Sequence, residues 1–219
     1  MLTIYGVYRS RASRPLWLMA ETGTEFRHVP VIQAYRLEDP MAADAPLNTA
    51  SPAFLKVNPQ GQVPAIEDDG LVLTESLAIT LHLARKYGGA LGPVGEAEQA
   101  LMEQWAMYAA TSVESDAVEM LYIYRDGGAK TPEGQAAIAV LAEKLRRPLR
   151  RLDSHLAGRD WLLGDRFTVA DLNTAEVVRY AQGHPTLLPE FPEVARWLAA
   201  AQSRPAFKAM WEKRSAEPE

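Results

Sequence analysis

Apolar residues in the first 87 positions come in short runs bounded by turn signals, whereas beyond position 95 they recur at helical spacing. Leu2 to Tyr5 reads as a strand, Pro15 to Thr22 as a helix ended by Gly23, and Phe26 to Ile32 as a second strand. Gln33 to Ala50 turns to Pro, Asp, Asn and Ala with little periodicity, which predicts a loop with one short helical turn at most. Ser51 precedes a short helix, Pro52 to Val57, with proline at its first position. Val63 to Ile66 and Leu71 to Leu73 are short strands joined by Asp68-Asp69-Gly70, a hairpin signal. Thr74 then stands as N-cap of a helix with Leu77, Ala78, Leu81 and Ala84 on one face and Ile79 and Leu83 on another. The β-α-β-α-β-β-α order predicts a mixed four-stranded sheet between helices.

Gly88 to Gly95 holds four glycines and a proline and reads as a linker, so the expected division is 1–87, a linker 88–95 and an all-helical part 96–219. Leu101, Trp105, Tyr108 and Ser112 mark one face of a long helix reaching about Tyr124. Thr131-Pro132-Glu133 opens another helix, which Pro148 is expected to kink or break. Thr168 and Asp171 form a capping box, with Phe167 and Leu172 as its staple. The last two helices are expected over Glu193 to Ala201 and Ala206 to Lys213, with fraying from Ser215 to Glu219.

Two motifs carry candidate chemistry. Val63-Pro64 opens a strand with a residue that removes a ladder hydrogen bond, so that backbone is open to a partner other than the sheet. A cis bond there would leave the N–H and C=O of Val63 facing outward for an extended peptide. Glu75-Ser76 opens the following helix. Its free N–H groups and the Ser76 hydroxyl suit a carboxylate, and the Glu75 carboxylate suits an ammonium. Together they fit the α-amino acid end of a small molecule. Taken singly, a turn proline at a strand start and an acid in a helix's first turn account for the same residues.

In order and spacing, Leu2 to Gly6, Ser10 to Arg14, Asn58-Pro59, Val63-Pro64, Glu75-Ser76 and Gly164 to Leu172 resemble the cytosolic glutathione transferases over nearly the whole chain. The resemblance implies a thioredoxin-like N-terminal domain, α/β with a mixed four-stranded sheet, followed by an all-α domain. It implies glutathione as co-substrate, bound at Val63, Pro64, Glu75 and Ser76 with help from Gln62 and Asn48. In serine-type relatives a hydroxyl between the first strand and helix faces the thiol, followed about four residues on by an arginine. Ser10 with Arg14 matches that layout, Ser13 is the next choice, and Tyr5 is less favoured. Arg11 would add positive potential. Tyr8, Tyr108 and Ser112 are the expected contacts of an electrophilic acceptor, and a homodimer is implied.

The absence of cysteine removes any mechanism in which the protein supplies its own thiol, which leaves conjugating or isomerising chemistry. A thiol of pKa about 8.5 is mostly protonated at neutral pH, so the protein must stabilise the anion. A serine does this as a hydrogen-bond donor, not as a base. The net charge of −5 argues against nucleic acid, and Arg146 to Arg151 reads as a solvated helix face. No metal-ligand motif, Walker A motif or GxSxG elbow appears, and no apolar run has the length of a membrane span. No metal, no membrane partner and a cytoplasmic location are expected. A glutathione-dependent isomerase and a non-catalytic binding module of the same fold are the alternatives.

Overall fold

The structure is a computed structural model and describes residues 1–218. The backbone divides into two compact units, one of residues 1–89 with the chain from Arg204 onward, the other Ala90–Ser203. In the first unit, strand β1 (Thr3–Tyr5) pairs parallel with β2 (Arg27–Val29) and antiparallel with β3 (Ala65–Asp68), which pairs antiparallel with β4 (Leu71–Thr74). The sheet order is β2-β1-β3-β4, and the mixed sheet expected from the sequence is present. Ile4 faces Ile66 across the ladder, and both are fully buried.

Helix α1 (Ser13–Thr22) buries Leu16, Trp17, Leu18 and Met19 and ends at the left-handed Gly23. A short helix α2 (Pro52–Leu55) follows the 33–50 loop, which contains one 3-10 turn, Ala34–Arg36. β3 starts at Ala65 rather than Val63, because Pro64 has no N–H to give the ladder. Helix α3 (Ser76–Tyr87) is capped by Glu75 and not by Thr74, which is still in β4 and pairs with Ala65. Its faces are also redistributed. Leu77, Ile79, Leu83 and Ala84 are buried in the core and Ala78 and Leu81 are half-buried, so both apolar faces of the helix contribute to the core.

The second unit is helical. Helix α4 (Gly95–Tyr108) passes through a π turn, Ala109–Glu114, into α5 (Ser115–Arg125). Helix α6 (Pro132–Leu156) begins with Thr131, whose hydroxyl accepts from the Gly134 N–H, and continues unbroken through Pro148. Helix α7 (Val169–Val178) is buried on every side, with the expected capping box of Thr168 and Asp171 in place. Helix α8 (Pro192–Ser203) completes the unit.

The last helix, α9 (Pro205–Ala216), belongs with the first unit, although the sequence reading grouped it with the helical part. It lies on α1. Arg204 forms a two-bond ion pair with Glu21 at 2.7 Å each, and the Phe207 ring packs edge-on to Trp17 at 4.9 Å. Fraying from Ser215 is not seen in the described part. Ser215 and Ala216 stay helical, and Glu217 is bonded; Glu219 lies outside the described residues.

A buried acid ties the β3–β4 hairpin to α3. Asp68, fully shielded, accepts from Lys86 Nζ at 2.8 Å, from the Tyr87 hydroxyl at 2.7 Å and from His82 Nε2 at 2.8 Å. Burial pushes its pKa up, but the bonds from Lys86, Tyr87 and His82 outweigh burial and hold it at about 2. The folded value lies below the ordinary one, so Asp68 stabilises the fold above about pH 4, and that contribution is lost as pH falls toward 2. Asp68→Asn is expected to cost about 2 kcal/mol near neutral pH. In urea titrations the gap between wild type and variant should close between pH 4 and pH 2; a gap independent of pH would show that the charge is not what matters.

Candidate active site

The site is organised around one glycine. Gly6, directly after β1, has φ +134°, a conformation that side chains rarely adopt. A Cβ placed on it would stand 2.7 Å from Ala12 Cβ, 3.3 Å from Val63 Cβ and 3.6 Å from Ser10 Oγ. The end of β1, the turn before α1 and the Val63-Pro64 corner therefore meet at a point with no room for a side chain. The Val63–Pro64 peptide is cis, as expected.

Ser10 lies in the turn and is half-buried. Its hydroxyl donates to the Val7 carbonyl at 2.6 Å and accepts from the Ala12 N–H at 3.0 Å. Ser13 is completely buried as the first residue of α1. Of the two serines, Ser10 is the one a ligand can reach.

The second residue of α1, Arg14, is 1% exposed and donates from Nη1 to the Ser76 hydroxyl at 2.7 Å. With its oxygen accepting from a cation, the Ser76 hydroxyl keeps its proton to give to an anion at the start of α3. Glu75 beside it is exposed and has φ +65°, a left-handed conformation unusual for a glutamate. Its carbonyl accepts from Ile79 N at 2.9 Å, so the helix holds the backbone there and leaves the side chain in solvent. Ser10, Val63, Glu75 and Ser76 thus all lie on the elements that converge near Gly6 and Arg14.

The remaining expected residues divide. Gln62 is exposed next to Val63, and its carbonyl accepts from Asn58 Nδ2 at 2.8 Å. Arg11 is exposed in the turn. Asn48 is fully buried: its amide donates to the Pro40 and Pro46 carbonyls at 2.9 Å each, and its oxygen accepts from Ala50 N. It shapes the 33–50 loop and has no group left for a ligand. In the second unit the Tyr108 hydroxyl is buried and donates to the Pro148 carbonyl at 2.5 Å, which ties α4 to α6. Burial pushes its pKa up to about 12, with Arg151 opposing, and it stays neutral. Ser112 is exposed in the π turn. Among the described residues no cluster of three or more acids and histidines is placed to hold a metal.

The loop contact that sequence reasoning missed comes from α9. Tyr8 packs edge-on against His28 at 5.4 Å, and Arg214 Nη1 donates to its carbonyl at 2.7 Å. Its N–H and that of Arg9 donate to the Glu217 carboxylate. Tyr8 and Lys213 also line a groove of about 470 Å³ with Leu16, Met19 and Phe26.

Family models for the glutathione S-transferase N-terminal and C-terminal domains match residues 1–85 and 100–205. The chain is 32% identical to "Glutathione S-transferase 3" of Zea mays, over 94% of this chain and 91% of that one. This chain belongs to the glutathione S-transferase family. A solved theta-class glutathione S-transferase from Xanthomonas axonopodis pv. citri, with glutathione bound, superposes on the transferase with a TM-score of 0.73 at 30% identity, covering 95% of each chain. The transferase is also 32% identical to "Probable elongation factor 1-gamma 2" of Arabidopsis thaliana, over 72% of its own length but only 38% of that protein. The first unit is thus the thioredoxin-like half of a transferase and the second its helical half.

Gly6→Ala tests the convergence. Ala12 Cβ is on the backbone of the turn and cannot swing away, and the positive φ adds strain, so the variant is expected to lose about 2–3 kcal/mol in urea denaturation. An unchanged midpoint would mean that the turn is looser than drawn.

Proposed function

We propose that this transferase binds glutathione across the edge of the Val63-Pro64 corner, ionises its thiol with a hydrogen bond from Ser10, and adds the sulfur to an electrophilic small molecule. The observation that carries the reading is the close approach at Gly6, which sets Ser10 and Val63 beside each other. The peptide's cysteine backbone pairs with the N–H and C=O of Val63, which lie outside the β3 ladder. Its α-carboxylate takes the Ser76 hydroxyl and the first N–H groups of α3, and its ammonium takes the Glu75 carboxylate. Gln62 and Arg11, both exposed beside these groups, serve the other carboxylate.

Ser10 acts as a donor. Its hydroxyl now donates to the Val7 carbonyl, and rotation about the Cβ–Oγ bond redirects the proton to sulfur while the Ala12 N–H keeps the oxygen in place and polarised. Each unit by which the thiol pKa falls corresponds to about 1.4 kcal/mol of preference for the anion. Tyr8 and Ser112 remain the residues we propose for the acceptor. The cytoplasm, which keeps glutathione reduced, is the proposed location. The likeness to a translation-factor segment supports a second reading, a binding module without turnover. It predicts no thiolate signal on adding glutathione.

Ser10→Ala is expected to leave the glutathione Kd within about threefold while raising the bound thiol pKa by 1–2 units. Thiolate absorbance against pH measures this, and a signal lost in Ser13→Ala instead would move the role to Ser13. We also propose a homodimer, supported by Leu71 and Val72, which are 44% and 46% exposed on the edge strand β4. Val72→Glu is expected to halve the mass measured by light scattering. A wild-type mass of one chain would remove the proposal.

A further inference from the structure

The chain carries a net charge of −5, yet the loop before Ser10 is wrapped by cations. Arg214 donates to the Tyr8 carbonyl, and Lys213 Nζ lies 5.7 Å from the Tyr8 ring centre. Arg9 Nε bridges the carbonyls of Arg214 and Glu217 at 3.1 and 2.8 Å, and Arg36 bonds the Pro218 carbonyl. Inside this ring two consecutive backbone N–H groups point the same way. Tyr8 N donates to one oxygen of the Glu217 carboxylate at 2.8 Å and Arg9 N to the other at 2.7 Å. Successive amides that converge like this form an anion seat, and bonds to a charged acceptor are the strong kind.

We propose that the Tyr8–Arg9 amide pair is a carboxylate-binding subsite for the acceptor, closed in this structure by Glu217, and that the preferred electrophile carries a carboxylate which displaces it. The proposal rests on the transferase reading above. Its occupant already has the right chemistry, a carboxylate with one amide per oxygen. Ser10 follows Arg9 in the chain, so an acceptor held here by its carboxylate has its reactive carbon beside the sulfur that Ser10 serves. Release is local: α9 ends at Ala216, and Glu217 is in extended backbone (φ −75°, ψ 144°), so rotation there frees the carboxylate without unfolding the helix. The tethered group competes at an effective concentration on the order of millimolar, which weakens an acidic acceptor without excluding it.

Two electrophiles that differ only in charge separate the subsite from general binding: 4-chloro-3,5-dinitrobenzoate and its neutral carboxamide. In each the glutathione sulfur bonds to the ring carbon that bears chlorine, the C–Cl bond breaks, chloride leaves, and the thiol proton goes to solvent. In the full chain, Glu217→Ala vacates the seat and should raise the ratio of kcat/KM for benzoate to that for carboxamide about tenfold. Glu217→Gln, which keeps the size, should raise it less, and stands in if the alanine variant does not fold. Without glutathione, adding the benzoate to either variant should shift the Tyr8 and Arg9 amide resonances, and adding the carboxamide should not. An unchanged ratio, or resonances that ignore the benzoate, overturns the subsite. If neither electrophile reacts, the transferase reading fails, and the resonances still decide the seat.

Discussion

The geometry of the site depends on a single close approach, that of Gly6 to Ala12 and Val63. Backbone at φ +134° with a 2.7 Å gap where Cβ would be is tolerated by glycine alone. Because β1 stops there, the chain turns at once and presents Ser10 before α1 begins. Because Val63 fills the other side, the Val63-Pro64 corner and the Ser10 hydroxyl are fixed relative to each other by van der Waals contact and not by loop conformation alone. Such positioning keeps reacting groups in register, the main structural requirement of a reaction in which the protein makes no bond of its own.

Arg14 extends that register to the start of α3. A guanidinium 1% exposed is costly unless its donors are used, and the Ser76 hydroxyl uses one across a sequence separation of 62. The bond locks the start of α3 to α1. The positive φ of Glu75 is the accompanying strain, held by a helix whose next residues, Leu77, Ile79 and Leu83, are packed in the core. Below it, Asp68 with Lys86, Tyr87 and His82 fixes the far end of the same helix to the β3–β4 hairpin. Both ends of α3 are thus fastened by its own polar side chains, while Leu77, Ile79, Leu83 and Ala84 serve the core.

What the sequence disclosed was local. Val63-Pro64, Glu75-Ser76 and the Thr168–Asp171 box are signals written within a few residues, where proline chemistry and capping act. What it hid depended on distant partners or on which of two apolar faces is covered. The α3 periodicity offered two faces, and only packing shows that residues of both, Leu77 and Ala84 as well as Ile79 and Leu83, are buried. Asn48 looked like a loop residue open to ligand, but its amide answers the Pro40 and Pro46 carbonyls that an irregular loop leaves without sheet partners. Tyr108 sat on an apolar stripe, yet its hydroxyl goes to Pro148, 40 residues on.

Glu217 is the extreme of this kind. Its carboxylate meets amides 209 and 208 residues earlier, and nothing in a polar, charged chain end announces that contact. The need for it is nevertheless physical. A turn that leaves a strand and opens a helix carries N–H groups that neither element bonds, and where they are half-buried they require an acceptor. The Ala12 N–H is answered by the Ser10 hydroxyl; those of Tyr8 and Arg9 are not answered locally. An acid brought in by α9 fills the vacancy, and α9 can bring it because Arg204 with Glu21 and Phe207 with Trp17 dock that helix on α1 and not with the helices that precede it. The docking that closes the first unit's core therefore also sets which groups, and which charge, stand over the turn before α1.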